Sequence, residues 1–163
     1  LPFYLQTVLH RSAVETGLLI TPWAVVVALA APFAGRLSDK HAPGLLGGVG
    51  LAVLCLGMVS MAMLTPQAST LDIVARMMIC GAGFGFFQSP NLKALMSAAP
   101  PERSSGASGI IALARLTGQT TGAALVALCF GLGAERGPLW ALGLGAGFAA
   151  VASVASFARL RFK

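Results

Sequence analysis

The chain has 163 residues, of which 56% are hydrophobic and only 10% are charged, and its mean hydropathy is +0.83. An ordinary globular domain has about 25% charged residues, so this composition argues against a water-soluble fold and favours a polytopic helical membrane protein. The net charge of +6 is distributed between apolar runs and forms no single basic face. We therefore expect these charges to set membrane topology, and we expect no binding to nucleic acid.

The apolar pattern predicts the elements in chain order. Residues 1–9 have the pattern of a helix end whose beginning is missing, so we expect the chain to be a piece of a longer protein. Five longer apolar runs follow, each able to cross a hydrocarbon layer of about 30 Å at about 1.5 Å per residue. The predicted fold is all-α, with a partial helix at 1–9 and five transmembrane helices at 14–34, 44–64, 70–92, 106–130 and 138–157.

Polar turns separate the predicted spans. The first turn, residues 35–41, is a short charged island between two runs that carry no charge. If the spans alternate in direction, this turn, the region 93–103 and the C-terminus share one side, which holds seven Lys and Arg residues against two on the other side. By the positive-inside rule, loop 35–43 and the C-terminus are predicted to be cytoplasmic.

Glycines occur along the predicted spans at spacings typical of helix packing. Gly81, Gly83 and Gly85 superficially resemble a nucleotide-binding loop, but that motif needs a preceding strand, and none is predicted here. We interpret them as positions where another helix approaches closely. Two further pairs have the GxxxG spacing, Gly44 with Gly48 and Gly118 with Gly122.

Ionisable residues inside the predicted spans are costly in lipid and therefore mark candidate sites. Arg115 lies about ten residues into the fourth span, with no acidic residue within twelve positions. We interpret it either as a cavity residue or as a structural anchor whose side chain extends towards the headgroups. Asp72 and Arg76 are four residues apart on one helix face. We interpret them either as an ion pair at the outer interface or as residues with a role in transport.

Polar side chains inside the third and fourth spans are candidates for a transport path. Gln88 and Asn91 flank Pro90 where the third span is predicted to end, and Gln119 lies in the middle of the fourth. Such groups either bond between helices or line a water-filled path. Trp23 is an interface or packing aromatic in one interpretation and a ligand-stacking residue in the other.

No pattern for catalysis or metal binding is present in the sequence. It contains no catalytic triad, no paired carboxylates and no His/Cys cluster, and its three cysteines all lie inside apolar runs. We therefore predict that the chain is not an enzyme and that it holds no metal and no cofactor.

The charged turn resembles the loop signature of the major facilitator superfamily, roughly G-x-L-x-D-R/K-x-G-R-R/K. Gly35, Leu37, Asp39 and Lys40 match this signature, whereas residues 42–44 depart from its later part, as in the second copy found in a C-terminal half. Further resemblance to the fourteen-helix drug:proton antiporter branch of this family is found at residues 1–6, 15–22, 87–91, 101–109, 114–115 and 118–119.

This resemblance implies the C-terminal six-helix bundle of a secondary transporter, with the N-terminal bundle absent from the chain. Two bundles would rock about a central site and export lipophilic, often cationic compounds, with the proton as coupling ion. Gly35, Arg36, Asp39 and Lys40 would form a cytoplasmic gating loop, with Asp39 docking against the other half. The implied partners are the lipid bilayer of a bacterial inner membrane, a small lipophilic substrate and the N-terminal half, which in the family carries most proton-binding acidic residues.

Two alternatives to drug export remain open. One is a metabolite or sugar carrier of the same superfamily, although the near absence of charges deep in the spans favours apolar substrates. The other is a self-standing small membrane scaffold protein that assembles through its GxxxG faces.

Overall fold

The structure is an array of long helices. The computed structural model describes residue 6 and residues 12–65, 67–100, 104–133 and 136–160. Its helices are α1 (Ala13–Leu37), α2 (Pro43–Ala62), α3 (Thr70–Ser97), α4 (Ser104–Leu132) and α5 (Gly137–Ala158). The predicted partial helix 1–9 lies outside the described residues except for Gln6, which is helical and exposed.

All five helices are long enough and apolar enough to cross a membrane. Large apolar side chains such as Leu18, Leu56 and Val151 are between 67% and 69% exposed. Such surfaces would be unfavourable in water but are the expected exterior of a helical protein in lipid. The prediction of an all-α polytopic membrane protein with five spans is therefore confirmed.

The ends of α1, α2, α4 and α5 lie within three residues of the predicted bounds. The third span differs, because α3 continues to Ser97 and the expectation that residues 88–91 end it is wrong. Pro90 lies fully buried inside this helix. A proline removes one backbone hydrogen bond, but α1 and α2 pack against the preceding segment and hold it helical, as neighbouring helices do in membranes.

Local capping explains where the helices begin. The Ser12 hydroxyl accepts a hydrogen bond from the Glu15 amide at 3.2 Å, and the Glu15 carboxylate accepts one from the Ser12 amide at 3.1 Å, which is a capping box. The Ser69 hydroxyl caps α3 with a single bond, which it accepts from the Asp72 amide at 3.2 Å. α2 and α5 instead begin at Pro43 and next to Pro138, since proline suits the first helical turn.

α3 lies between two helices because its glycines let both approach closely. Gly81 and Gly85 face α1, where a Cβ atom added to Gly81 would lie 2.7 Å from the carbonyl oxygen of Trp23. Gly83 lies on the opposite side of α3, since two residues correspond to about 200° of helix. It faces α2, where an added Cβ would lie 2.7 Å from the carbonyl oxygen of Gly50. The predicted close helix approach at these glycines is confirmed.

Hydroxyl groups join α5 to α2. The Ser153 hydroxyl donates to the Gly48 carbonyl at 2.8 Å, and the Ser156 hydroxyl donates to the Gly44 carbonyl at 2.9 Å. Both acceptors belong to the predicted GxxxG pair of α2, where small residues let the two backbones approach. The pair therefore serves packing inside the described bundle.

α4 is the least covered helix. Cys129, near its C-terminal end, is its one buried residue. That end lies against the start of α5, where a Cβ atom added to Gly137 would be 2.9 Å from the Cys129 carbonyl oxygen. A Cβ atom added to Gly118 or Gly122 would meet no atom within 4 Å. The predicted GxxxG pair of α4 thus contacts no helix in the described part of the chain.

A buried apolar cluster lies at one end of the bundle. It is formed by buried residues of α1, α2 and α3 and of the turn between the last two: Leu19, Met61, Leu64, Ile73, Met77 and Cys80. We call this the far end. The opposite end, which we call the loop end, holds the charged turn, the C-terminal ends of α3 and α5 and the beginning of α4.

We expect Gly83→Ala in the complete protein to lower the free energy of unfolding by about 1–3 kcal/mol, because the new methyl group would overlap the α2 backbone. A fall in Tm of the detergent-solubilised protein would report this loss. Gly143→Ala in α5 is the matched control, since its added Cβ meets no atom within 4 Å and alanine favours helix. Equal Tm values for the two variants would contradict the proposed packing.

Candidate functional site

The predicted gating loop is a tight turn between α1 and α2. The Asp39 amide donates to the Arg36 carbonyl at 3.2 Å, and the Ser38 hydroxyl donates to the Gly35 carbonyl at 2.6 Å. Gly35 also lies close to α3, because an added Cβ would be 3.2 Å from the Ser89 hydroxyl oxygen. The turn is therefore bonded to the end of α1 and packed beside α3.

Asp39 forms an ion pair with Lys93, near the C-terminal end of α3. The Asp39 and Lys93 side chains are 64% and 49% exposed, and such solvent-exposed pairs contribute about 0–1 kcal/mol. The pair therefore positions the turn more than it stabilises the fold. Arg36 and Lys40 are exposed and form no ion pair with described residues. In this chain Asp39 thus has a partner in its own bundle, and its docking against the other half of a transporter stays a prediction.

Asp72 and Arg76 form an ion pair at the far end. Arg76 Nε donates to Asp72 Oδ1 at 2.9 Å, and Arg76 Nη1 donates to the carbonyl oxygen of Ser60 in the last turn of α2. Asp72 lies in the first turn of α3, where negative charge is favoured, and the guanidinium lies at a helix C-terminus, where positive charge is favoured. Arg76 therefore joins the beginning of α3 to the end of α2.

A groove of about 410 Å³ lies between α3 and α4. Its polar side chains, Ser108, Arg115 and Gln119, are at helical spacings of seven and four residues and share one face of α4. The remaining lining residues are apolar and come from both helices: Leu92, Met96, Ile111, Ala112 and Leu116. Mostly apolar walls with a few polar groups are the usual composition of a site for a small molecule.

Arg115 lies close to the middle of α4. The midpoint of Ser104–Leu132 is residue 118, so Arg115 is about 4.5 Å from it along the helix axis. A cation at such a depth costs about 2.5–3.5 kcal/mol when it faces lipid. The ion pairs among the described residues do not include Arg115. In a membrane its guanidinium therefore needs water, an anionic group or the headgroup region as a partner.

The other predicted path residues lie elsewhere. Asn91 accepts a hydrogen bond from Arg159 at 3.4 Å, beside a pocket of about 270 Å³ at the loop end. Trp23 packs between α1 and α3, with its ring centroid 5.7 Å from that of Phe84. Gln88 is half-buried in α3. Two of the five predicted path residues thus share the α3–α4 groove, and three do not.

A larger open groove of about 730 Å³ lies between α4 and α5. Apolar side chains line it, with Trp140 as the one residue that carries a polar ring atom. It offers little to orient a polar ligand. Among the described residues, no group of three His, Cys, Asp or Glu side chains is arranged to hold a metal ion.

Sequence reasoning missed two sets of contacts. In the sequence Lys93 is one of the seven topology-setting charges, and its separation of 54 residues from Asp39 gives no local signal of the ion pair. Ser153 and Ser156 lie in an apolar run, and their three-residue spacing was the one available indication that they share a helix face.

The fold and these sites define a polytopic membrane protein with a polar groove between spanning helices. A family model described as the Major Facilitator Superfamily matches residues 1–123, which is most of the chain. The chain therefore belongs to the Major Facilitator Superfamily. The members it matches are transporters and not enzymes.

Relatives within the family have different names. The chain is 47% identical over 160 residues, 98% of its length, to the protein called uncharacterized transporter YebQ of Escherichia coli. It is 31% identical over 63% of its length to the riboflavin transporter RibZ of Clostridioides difficile. It is 32% identical over 76% of its length to the multidrug resistance protein Stp of Mycobacterium tuberculosis. The chain spans 35% of the first of these relatives and 23% of each of the other two.

We expect Lys93→Gln in the complete protein to raise the rate at which trypsin cuts after Arg36 and Lys40. Loss of an exposed pair worth about 0.2–1 kcal/mol would increase the open population of the turn by roughly 1.5- to 5-fold. The cut sites themselves are unchanged, so mass spectrometry of the fragments measures access to the turn. Arg136→Gln at the other end of the bundle is the control, and a Lys93→Gln rate equal to that of the control would contradict the proposed role of the pair.

We expect Arg76→Met to destabilise the complete protein more than Asp72→Asn does. The first change removes the bonds to both Asp72 and Ser60, whereas the second leaves the bond to Ser60 in place. The loss for Arg76→Met should be about 1.5–3 kcal/mol, the range for hydrogen bonds to charged groups. Thermal unfolding in detergent gives the comparison, and the reverse order would refute the bridging role of Arg76.

Proposed function

We propose that this chain forms one half of a proton-coupled transporter that exports lipophilic small molecules by alternating access. The observation that carries the proposal is the α3–α4 groove, where Arg115 and Gln119 lie among apolar walls formed by two membrane-spanning helices. The names of relatives such as multidrug resistance protein Stp support export of drugs. The chain would work together with an N-terminal bundle of the whole protein.

Proton coupling would depend on carboxylates outside this chain. Glu15 caps the start of α1, Asp72 pairs at the start of α3 and Asp39 lies in a turn. None of these is deep in a span, where a proton-relay carboxylate is expected. We therefore assign the coupling proton to the other half of the transporter and substrate contacts to this half.

The loop end would face the cytoplasm of a bacterial cell, with the protein in the inner membrane. The excess of Lys and Arg on that side supports this orientation. The turn that contains Gly35, Arg36, Asp39 and Lys40 would then act as a cytoplasmic latch. Because the Asp39–Lys93 pair is exposed and weak, the turn could exchange this partner for one in the other half as the bundles move.

A metabolite carrier is the second candidate. The similarity to the riboflavin transporter RibZ favours it, since that relative is named for a vitamin and not for drug resistance. A groove with an arginine and an amide suits a polar substrate as well as a lipophilic one. The self-standing scaffold is supported only by the uncovered Gly118–Gly122 face of α4.

The test is efflux by the complete protein in a bacterial strain that lacks its main drug exporters. Cells are loaded with ethidium or with a neutral lipophilic dye, and the fluorescence loss is followed after energisation. We expect export that stops when a protonophore collapses the proton gradient. Export of riboflavin without export of either dye would favour the metabolite carrier, and dye export that is insensitive to the protonophore would refute proton coupling.

A further inference from the structure

The α3–α4 groove carries a positive charge, which favours a negatively charged partner. Arg115 provides a cation near the middle of α4, and Gln119 adds an amide donor on the same helix face. The Ser108 hydroxyl instead donates to the Ser104 carbonyl of its own helix at 2.7 Å. A guanidinium presents its donors as a planar fork, whose best complement is a planar carboxylate held by two parallel bonds. The donors that line this groove therefore match an anion better than a cation.

The acidic side chains of the described chain do not provide this partner. Glu15 is engaged in the capping box with Ser12, Asp39 pairs with Lys93, and Asp72 pairs with Arg76. The two remaining acidic residues of the sequence lie outside the described ranges: Glu102 and Glu135. Each described carboxylate is thus assigned to another contact, and the groove still faces an exposed arginine.

The apolar walls of the groove indicate the size and the apolar character of the rest of the ligand. Leu92 and Met96 of α3 face Ile111 and Leu116 of α4 across the groove. The unbranched methionine side chain adapts to irregular apolar bodies. A volume of about 410 Å³ fits a ligand of a few fused rings.

We propose that this groove selects lipophilic carboxylic acids, with Arg115 binding the carboxylate and Gln119 donating a further hydrogen bond. This inference rests on the proposed function, because it names the substrate class for the same groove. It is narrower than general drug export, since it gives ionised acids preference over neutral molecules of the same shape. A carboxylate from the other half of the transporter is the competing partner for Arg115, and the experiment separates the two.

The experiment compares two fluorescent ligands of nearly equal shape, pyrenecarboxylate and pyrenecarboxamide, on the purified complete protein in lipid nanodiscs. Fluorescence anisotropy gives each Kd at neutral pH. We expect the wild type to bind the acid about 10- to 100-fold more tightly than the amide, the range for hydrogen bonds to charged groups. Arg115→Gln should remove this preference and leave amide binding within about threefold of the wild type.

Two variants control for loss of net charge and for folding. Arg136→Gln removes one positive charge far from the groove and should keep the preference for the acid. Arg115→Lys keeps the charge but lacks the planar fork, so it should keep only part of the preference. The Tm of each variant shows whether it is folded.

Three results would overturn the proposal. They are equal binding of acid and amide by the wild type, binding of neither, and an unchanged preference in folded Arg115→Gln. If the preference is unchanged in that variant because both ligands bind equally more weakly, Arg115 is identified as a structural residue paired with the other half. Dye export in cells is scored separately, so that export without acid selectivity would contradict this inference and leave the proposed function standing.

Discussion

Close backbone contact at three glycines of α3 is the constraint on which the described bundle depends. Lipid gives spanning helices no hydrophobic reason to associate, so packing must come from close approach and hydrogen bonds. Gly81 and Gly85 receive α1, and Gly83 receives α2 on the opposite side. α5 then attaches to α2 through two serine-to-carbonyl bonds, and α4 attaches mainly to the start of α5. The position of α5 thus depends on α2, and the position of α4 depends on α5.

The two ion pairs have different strengths because they have different surroundings. Arg76 is 24% exposed and also bonds to a carbonyl of α2, so it joins two helix ends. The Asp39–Lys93 pair is exposed and contributes little to stability. A weak contact of this kind is suited to a turn that changes partners, whereas the Arg76 bridge is suited to a rigid unit.

α4 has a different character from the other spans. It carries the arginine, an amide and several hydroxyl groups, yet it is the helix with the least cover in the described structure. Polar groups on a spanning helix are tolerated when they face a cavity or another protein surface. The chemistry of this polar face of α4 therefore depends on what occupies the α3–α4 groove.

The sequence by itself determined the five spans, their alternation and the family resemblance, because apolar run length and charged turns are local properties of the chain. It also indicated the helix approach at Gly81 to Gly85 and the Asp72–Arg76 pair, since both arise from short helical spacings. Only the tertiary structure decided that Lys93 meets Asp39, that α3 continues through Pro90, and that Asn91 and Trp23 lie apart from the Arg115 groove. Those contacts join residues distant in the chain, and their free energies come from packing between helices, which no local pattern records.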